Sequence, residues 1–236
     1  MRHAGPVGVA QQLVDGLLLL RPSDAAQGQP RQAGKGVDVA VFQTGIGPGL
    51  DGEAVSVRLG EGQWVQADKV VVAAGAWSGQ LARAVGDKVL LESERGYNTT
   101  LAAPGVVLSR EIIFAERHFV AAPLSCGLRI GGAAEFGGLN AAANFKRSHA
   151  LARLAAHYLP GLQTEGGTCW AGHRPATPDS LPVIGPSPRN PAVIYAFGHG
   201  HLGLTQGATT GRLVSDIALG KPPQIDLEPY AISRFN

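Results

Sequence analysis

The sequence lacks a long hydrophobic run, an excess of charge and a cysteine framework. Leu17–Leu20, its densest apolar stretch near the start, is far too short to span a bilayer. Polar residues interrupt any signal-peptide pattern there, so we expect a cytoplasmic protein. The formal net charge of +2 comes without a basic cluster, which argues against a nucleic-acid partner. Cys126 and Cys169 have neither metal nor redox spacing, and we expect both to be reduced.

The sequence also lacks a dinucleotide-binding turn, which is a Gly-x-Gly-x-x-Gly motif between a strand and a helix. The nearest segment, Gly45–Leu50, contains Pro48 and precedes no helical pattern, so we interpret it as a hairpin loop. Upstream of it, apolar spacing within the first 20 residues predicts one short helix. The Pro-, Gly- and Gln-rich segment Arg21–Gly36 is typical of a flexible linker.

A strand, a glycine-rich turn and a helix are predicted near the C-terminal end. Ala192–Phe197 has strand propensity, Gly198–Gly203 forms the turn, and apolar residues then recur at helical spacing as far as Gly220. A helix that begins after such a turn presents free N–H groups and a positive dipole end, which suit a phosphate, a carboxylate or an electron-rich ring. Three glycines on one helix face predict the close approach of a cofactor or of another backbone: Gly203, Gly207 and Gly211.

The first half of the chain predicts a three-stranded antiparallel meander over Val37–Phe42, Ala54–Leu59 and Trp64–Ala67. The continuous apolar run Val70–Ala74 then indicates a buried parallel strand, and Ser78–Val85 indicates a helix. Because open α/β sheets bind ligands beyond the carboxyl ends of their strands, we expect a ligand there.

From Lys88 to Ser180 the pattern changes to short strand-like runs and one amphipathic helix that begins at Asn144 and ends before Pro160. Turns separate consecutive strand-like runs, as in an antiparallel sheet.

An ordered set of residues resembles the C-terminal signature of the FAD-dependent D-amino-acid oxidase superfamily, and is most similar to that of the bacterial D-amino-acid dehydrogenases. The set comprises Gly172–Pro175, Asp179, Pro182, Gly185 and Gly198–Gly203. The resemblance extends from about Val37 to Phe235 and excludes the first 36 residues. The N-terminal dinucleotide unit of that family has no counterpart here, so the chain looks like the C-terminal two-thirds of a flavoenzyme.

The resemblance implies a fold of mixed α/β and α+β class. It implies a discontinuous, incomplete Rossmann-like FAD-binding domain with a β-meander, formed by residues 37–87 and 181–236. Residues 88–180 would form an antiparallel-sheet substrate domain, and residues 1–36 an atypical, flexible N-terminal segment.

The resemblance also assigns roles to residues. Arg174 would bind the substrate carboxylate through its planar fork, the alternative being a structural pair with Asp179. His201 would contact the polar edge of the flavin, whereas a metal site with His173 and His199 is a weaker alternative, and we expect no metal. The residues assigned to the cofactor are Ala74, Gly75, Trp77, Gly172, Gly198, His199, Gly200, His201, Leu202, Gly203, Leu204 and Thr205.

Three aromatic residues, Tyr97, Phe136 and Trp170, are candidates either for the substrate pocket or for the core. The implied activity is FAD-dependent oxidation of D-amino acids to 2-oxo acids and ammonia, with electrons passing to an acceptor such as a quinone. Such an acceptor makes a peripheral position at the inner membrane an alternative location. The alternative functions are a glycine- or sarcosine-type amine oxidase, and a catalytically silent fragment or subunit whose missing FAD-binding unit comes from a second chain.

Overall fold

The computed structural model describes residues 16–20, 45–48, 55–58 and 64–236. The chain divides into two compact units, one formed by residues 1–92 and 175–236 and the other by residues 93–174. Within the described ranges, no helix combines the length and the apolar character needed to cross a bilayer. The assignment of one unit to FAD and the other to substrate remains a prediction.

The first unit contains a four-stranded sheet in the order β1-β5-β12-β11. Its strands are β1 (Gly16–Leu20), β5 (Lys69–Ala73), β11 (Val183–Pro186) and β12 (Val193–Phe197). The two central strands are parallel, with Val70 opposite Val193, and both edge strands are antiparallel to their neighbours. The predicted buried parallel strand is therefore confirmed.

Two helices cover the faces of this sheet, α1 (Ser78–Val85) and α3 (Gly203–Ala218); α2 belongs to the second unit. Residues that alternate along β5 belong to different clusters, because successive strand side chains point to opposite faces. Val70 and Val72 pack in the cluster that contains Leu81 of α1. Val71 packs in the cluster that contains Leu213 of α3. This two-sided coverage explains why β5 is continuously apolar.

The N-terminal prediction of a helix is wrong where the chain is described, because Gly16–Leu20 forms strand β1. A run of leucines is compatible with both a helix and a strand. This segment forms a strand because it pairs with β5. The linker prediction for Arg21–Gly36 lies outside the described residues.

A second, three-stranded antiparallel sheet in this unit has the order β2-β3-β4 (Gly45–Pro48, Val55–Arg58 and Trp64–Ala67). The hairpin-loop prediction for Gly45–Leu50 is wrong for its first four residues, which form β2. Pro48 is compatible with β2 because the strand lies at an edge, where an absent N–H disturbs no ladder bond. The predicted strand Val37–Phe42 lies outside the described residues.

The second unit is built on a five-stranded antiparallel sheet in the order β10-β6-β9-β8-β7. Its strands are β6 (Glu92–Leu101), β7 (Ile112–Phe114), β8 (Phe119–Leu124), β9 (Gly127–Phe136) and β10 (Thr168–Ala176). Helix α2 (Lys146–Tyr158) covers one face, where Leu151 and Ala155 pack against Phe119 and Ile130. The mixed fold class predicted from the sequence is confirmed.

Arg234 fixes the C-terminal segment to the turn that precedes β11. Its guanidinium donates to Asp179 Oδ2 at 2.8 Å and to the carbonyl oxygen of Leu181 at 2.7 Å. It also donates to the carbonyl oxygens of Tyr230 and Ala231 at 3.0 and 3.2 Å. Charge-assisted hydrogen bonds of this kind are about twice as strong as neutral ones, so this arginine stabilises the first unit.

We expect Arg234→Ala to lower the free energy of unfolding by about 2 kcal/mol, because several acceptors lose a charged donor together. Urea denaturation followed by circular dichroism measures the change. Arg212→Ala is the matched control, since the exposed Arg212 side chain makes a single ion pair, with the largely buried Asp216 one helical turn away, and such i,i+4 pairs contribute about 0.3–0.5 kcal/mol. Equal effects of the two variants would contradict this role of Arg234.

Candidate functional site

The turn between β12 and α3 has the backbone shape that the glycines predict. Gly198 and Gly200 adopt left-handed conformations, with φ of 85° and 53°. The N–H of Gly200 donates to the carbonyl oxygen of Pro175 at 2.9 Å, which fixes the turn within its unit. The N–H of Leu202 donates to the carbonyl oxygen of His199 at 2.9 Å and closes the turn before α3 begins at Gly203.

The first turn of α3 offers unpaired donors. Its first intrahelical bond runs from the N–H of Gln206 to the carbonyl oxygen of Leu202. The part of the chain that is described supplies no acceptor for the N–H groups of Gly203, Leu204 and Thr205. Leu202 and Leu204 are exposed, so a ligand can reach these donors.

Several glycines of the first unit leave open space beside the backbone, among them Gly185 and Gly220 and three that lie at or near the predicted cofactor residues. A methyl group added to Gly75, Gly200 or Gly207 would meet no atom of the described residues within 4 Å. Gly75 follows Ala74 at the carboxyl end of β5, has a φ of 53°, and opens a short 3₁₀ turn that ends at Trp77. These open backbone surfaces and the unpaired amides suit a flat, anionic cofactor.

His199 and His201 have different environments. The Nε2 atom of His199 lies 2.9 Å from the Thr210 hydroxyl, so the ring spans back from the turn to the second turn of α3. Burial lowers the pKa of His199 below its ordinary value of 6.5. The side chain of His201 is exposed, as a cofactor contact requires.

The lowered pKa of His199 makes stability depend on pH. In the unfolded chain His199 takes up a proton near pH 6.5, while the folded protein resists protonation. The unfolding free energy is therefore highest above pH 6.5 and falls as the pH drops through the lowered folded pKa. We expect His199→Gln to flatten this dependence between pH 7.5 and pH 5.5, roughly one pH unit on each side of the unfolded pKa. Chemical denaturation at both pH values measures the unfolding free energy of the wild type and the variant. If the unfolding free energy of His199→Gln changes with pH as much as that of the wild type, His199 is not the source of the dependence.

The second unit presents a sheet face opposite α2. Strand alternation assigns Glu94 and Gly96 of β6 to this face, together with Phe136 of β9 and Trp170 and Arg174 of β10. Phe136 and Trp170 are 68% and 58% exposed, which confirms that α2 does not cover them. We call this surface the open face, defined by Glu94, Gly96, Phe136, Trp170, Gly172 and Arg174.

Arg174 lies flat on the open face above Gly96. A methyl group at Gly96 would occupy the position of the Arg174 guanidinium, so only glycine leaves room for this conformation. Arg174 Nη1 lies 3.4 Å from Glu94 Oε1. Glu94 is the hydrogen-bond partner of Arg174 among the described residues, so the other N–H groups of the fork remain available. The pair with Asp179 proposed as an alternative is wrong, because Asp179 binds Arg234 instead.

The three candidate aromatic residues have different roles. The Trp170 ring lies along its own strand at the position where a side chain of Gly172 would be, so Gly172 makes room for the indole. On the open face, glycines therefore leave room for two side chains, the Trp170 indole and the Arg174 guanidinium. Tyr97 is 1% exposed and its hydroxyl donates to Glu135 on the α2 side, so it belongs to the core.

The α2 side of the same sheet holds a buried polar cluster. Arg95 is 2% exposed and donates to the carbonyl oxygens of Ala141 and Ala142 at 2.6 and 3.0 Å. The Arg95 guanidinium also forms an ion pair with Glu135. The pKa of the Glu135 carboxyl group is lowered, chiefly by the hydrogen bond that it accepts from Tyr97. This arginine is bound by carbonyl groups and has a structural role.

His173 is also on the α2 side, with its Nδ1 atom 2.6 Å from the Ser93 hydroxyl. Burial, followed by the charge of Arg95, lowers its pKa. Among the described residues, no group of three or more His, Cys, Asp or Glu side chains is placed to hold a metal ion. Glu94 and Gly96 are the residues that sequence reasoning missed, although strand alternation around Arg95 would have assigned both to one face.

Comparison with known proteins identifies the family. Residues 31–217 match the DAO family, which is described as FAD dependent oxidoreductase. The chain belongs to this family. FAD is its cofactor, and the open glycines and unpaired amides of the first unit fit that group.

Two relatives come from Bradyrhizobium diazoefficiens. A D-amino-acid oxidase is 40% identical over 186 residues, which cover 77% of this chain and 44% of that protein. A D-amino acid dehydrogenase is 32% identical over 203 residues, covering 83% of this chain and 47% of that protein. The chain therefore spans about half the length of these curated relatives.

Solved structures agree on the fold. Glycine oxidase from Geobacillus kaustophilus is 27% identical, with a TM-score of 0.70 over 80% of this chain and 51% of that one. Iminodiacetate oxidase from Chelativorans sp. BNC1 is 21% identical, with a TM-score of 0.67 over 80% of this chain and 52% of that one. The part of the chain that matches therefore shares the fold of these two oxidases.

Proposed function

We propose that this chain takes part in the FAD-dependent oxidation of D-amino acids to 2-oxo acids and ammonia. The observation that carries the proposal is Arg174, whose guanidinium lies on the open face above Gly96 with most of its donors uncommitted. A planar fork of this kind binds a carboxylate bidentately, and every amino acid carries one. The 40% identity to a D-amino-acid oxidase supports the D configuration.

The first unit is the proposed FAD site. Ala74, Gly75 and Trp77 at the end of β5, and the turn from Gly198 to Thr205, are the residues that would hold FAD. FAD held by these residues would supply the oxidising chemistry, as the acceptor of the two electrons and the hydrogen that the amino acid loses. The unpaired amides of the first turn of α3 favour negative charge nearby, and His201 supplies a polar contact there. Gly172 makes room for the Trp170 ring, and its assignment to the cofactor stays a proposal.

The second unit is the proposed substrate site. Arg174 fixes the carboxylate and so orients the α-carbon. Trp170 and Phe136 present apolar surface on the same face, which favours substrates with an apolar side chain and excludes water around them.

The proposal also concerns the molecule that accepts the electrons. We infer a dehydrogenase that passes electrons to a carrier such as a quinone at the inner membrane, as the 32% identity to a D-amino acid dehydrogenase supports. The higher identity to a D-amino-acid oxidase favours molecular oxygen as the competing acceptor. Oxygen consumption measured against quinone reduction distinguishes the two.

Two other functions have specific support. The likeness to a glycine oxidase, at 27% identity, favours a glycine- or sarcosine-type amine oxidase. The other alternative is a catalytically silent fragment, or a subunit that needs a second chain for its FAD-binding unit; its support is that the sequence has no Gly-x-Gly-x-x-Gly turn between a strand and a helix.

Product analysis tests the proposal. Purified protein with added FAD and an artificial electron acceptor is given D-amino acids, the matching L-amino acids, glycine and sarcosine. We expect 2-oxo acid and ammonia from the D-amino acids with apolar side chains. Turnover confined to glycine and sarcosine would establish the amine-oxidase alternative, and turnover of none would support the silent fragment.

A further inference from the structure

Glu94 lies beside Arg174 on the open face, two residues before the glycine that supports the guanidinium. Its Oε1 atom is 3.4 Å from Arg174 Nη1, and the Glu94 side chain is 15% exposed. Residues two apart on a strand project to the same face, so the carboxylate of Glu94 stands next to the guanidinium. The open face thus holds an adjacent cation and anion, Arg174 and Glu94.

The contact between the two residues is loose compared with a structural ion pair. A bidentate arginine–carboxylate pair has two parallel bonds of about 2.7–2.9 Å. Arg174 instead reaches Glu94 through one nitrogen at 3.4 Å. The contrasting arginine is Arg95 on the other face of the same strand, which is 2% exposed and donates to the carbonyl oxygens of Ala141 and Ala142 at 2.6 and 3.0 Å.

An amino acid carries a carboxylate and an amino group on one carbon. A site that holds its orientation needs a partner for each group, and an acidic side chain is the usual partner for an ammonium. We propose that Glu94 binds the amino group of the substrate while Arg174 binds its carboxylate. Glu94 is then a second substrate-binding residue, which distinguishes amino acids from carboxylates that lack an amino group.

This inference rests on the proposed function, since it uses the same face and the same arginine. The inference also explains why Arg174 and Glu94 make only one long contact with each other. The ligand carboxylate replaces Glu94 as a partner of the guanidinium, and the ligand amino group then neutralises Glu94. A carboxylate without an amino group brings a second negative charge close to Glu94 and no cation with it, which costs binding energy.

The test compares two ligands that differ by the amino group alone, D-phenylalanine and 3-phenylpropanoate. Their aromatic rings suit the exposed Trp170 and Phe136. Calorimetry measures both dissociation constants for the full chain with added FAD, for Glu94→Gln and for Glu165→Gln. Glu165 is exposed, so its variant is the matched control for a lost charge.

We expect Glu94→Gln to raise the dissociation constant of D-phenylalanine about tenfold, which corresponds to the loss of one charge-assisted hydrogen bond. The same variant should bind 3-phenylpropanoate as tightly as the wild type or more tightly, which also shows that Arg174 remains in place. Glu165→Gln should change neither constant.

Equal weakening of both ligands by Glu94→Gln would overturn the inference, because Glu94 would then act only by orienting Arg174. Equal strengthening of both would overturn it as well, because Glu94 would then only compete for Arg174. If the wild-type chain binds neither ligand, the proposed function itself fails, and this outcome is distinguished from the others before any variant is made.

Discussion

Gly96→Ala is expected to weaken productive carboxylate binding strongly while leaving the sheet folded. The added methyl group would occupy the place of the Arg174 guanidinium, so the arginine must leave the surface of β6. A displacement of about 1 Å at a substrate-orienting group costs on the order of 100-fold in kcat/KM. Calorimetry with 3-phenylpropanoate and steady-state oxidation of D-phenylalanine measure the loss.

Gly131→Ala is the matched control for this substitution. Gly131 belongs to the neighbouring strand β9, and a methyl group there would lie 3.5 Å from the Asn98 Cβ atom, an ordinary contact. We expect this variant to bind and turn over substrate like the wild type. If Gly96→Ala also behaves like the wild type, Arg174 does not need its present position and the proposed site is wrong.

Arg174→Ala is expected to have the largest effect on substrate affinity. It removes the carboxylate partner and leaves the Glu94 charge on the open face, where it repels the ligand carboxylate. The loss of a charge-assisted hydrogen-bond partner costs about 1.5–3 kcal/mol, or roughly 10-fold to more than 100-fold in affinity. Binding of FAD should be retained, which a flavin fluorescence titration checks.

Arg153→Ala provides the control for the loss of a positive charge, because Arg153 is exposed on α2. The double variant Arg174→Ala/Glu94→Gln should recover part of the affinity for 3-phenylpropanoate, since it removes the repelling charge. An affinity that is unchanged in Arg174→Ala would remove this arginine from the site.

Local sequence signals predicted the first unit's parallel core and the glycine turn. Val70–Ala74 and Ala192–Phe197 are short, apolar and bounded by turn residues, so the pattern itself determines a strand. Within the predicted turn, Gly198 and Gly200 adopt left-handed conformations, whereas Gly203 does not. The strand Gly16–Leu20 was missed because its partner β5 is distant in the sequence, and a leucine run does not distinguish strand from helix.

The environment of Arg174 could not be predicted for a similar reason. The nearby Asp179 was the obvious partner in sequence, yet the actual partner, Glu94, is 80 residues away. Only the pairing of strands brings Glu94 and Gly96 under the arginine. Gly96 also gave no turn signal, because its function is to leave space for a side chain from another strand.

The anaerobic visible spectrum of the purified chain with FAD, before and after D-phenylalanine, tests the central claim most directly. The account predicts that flavin stays with the protein after gel filtration, and that its absorption band bleaches with D-phenylalanine and not with L-phenylalanine. Bound flavin that no D-amino acid reduces, or a protein that elutes colourless, would contradict the claim that this chain oxidises D-amino acids.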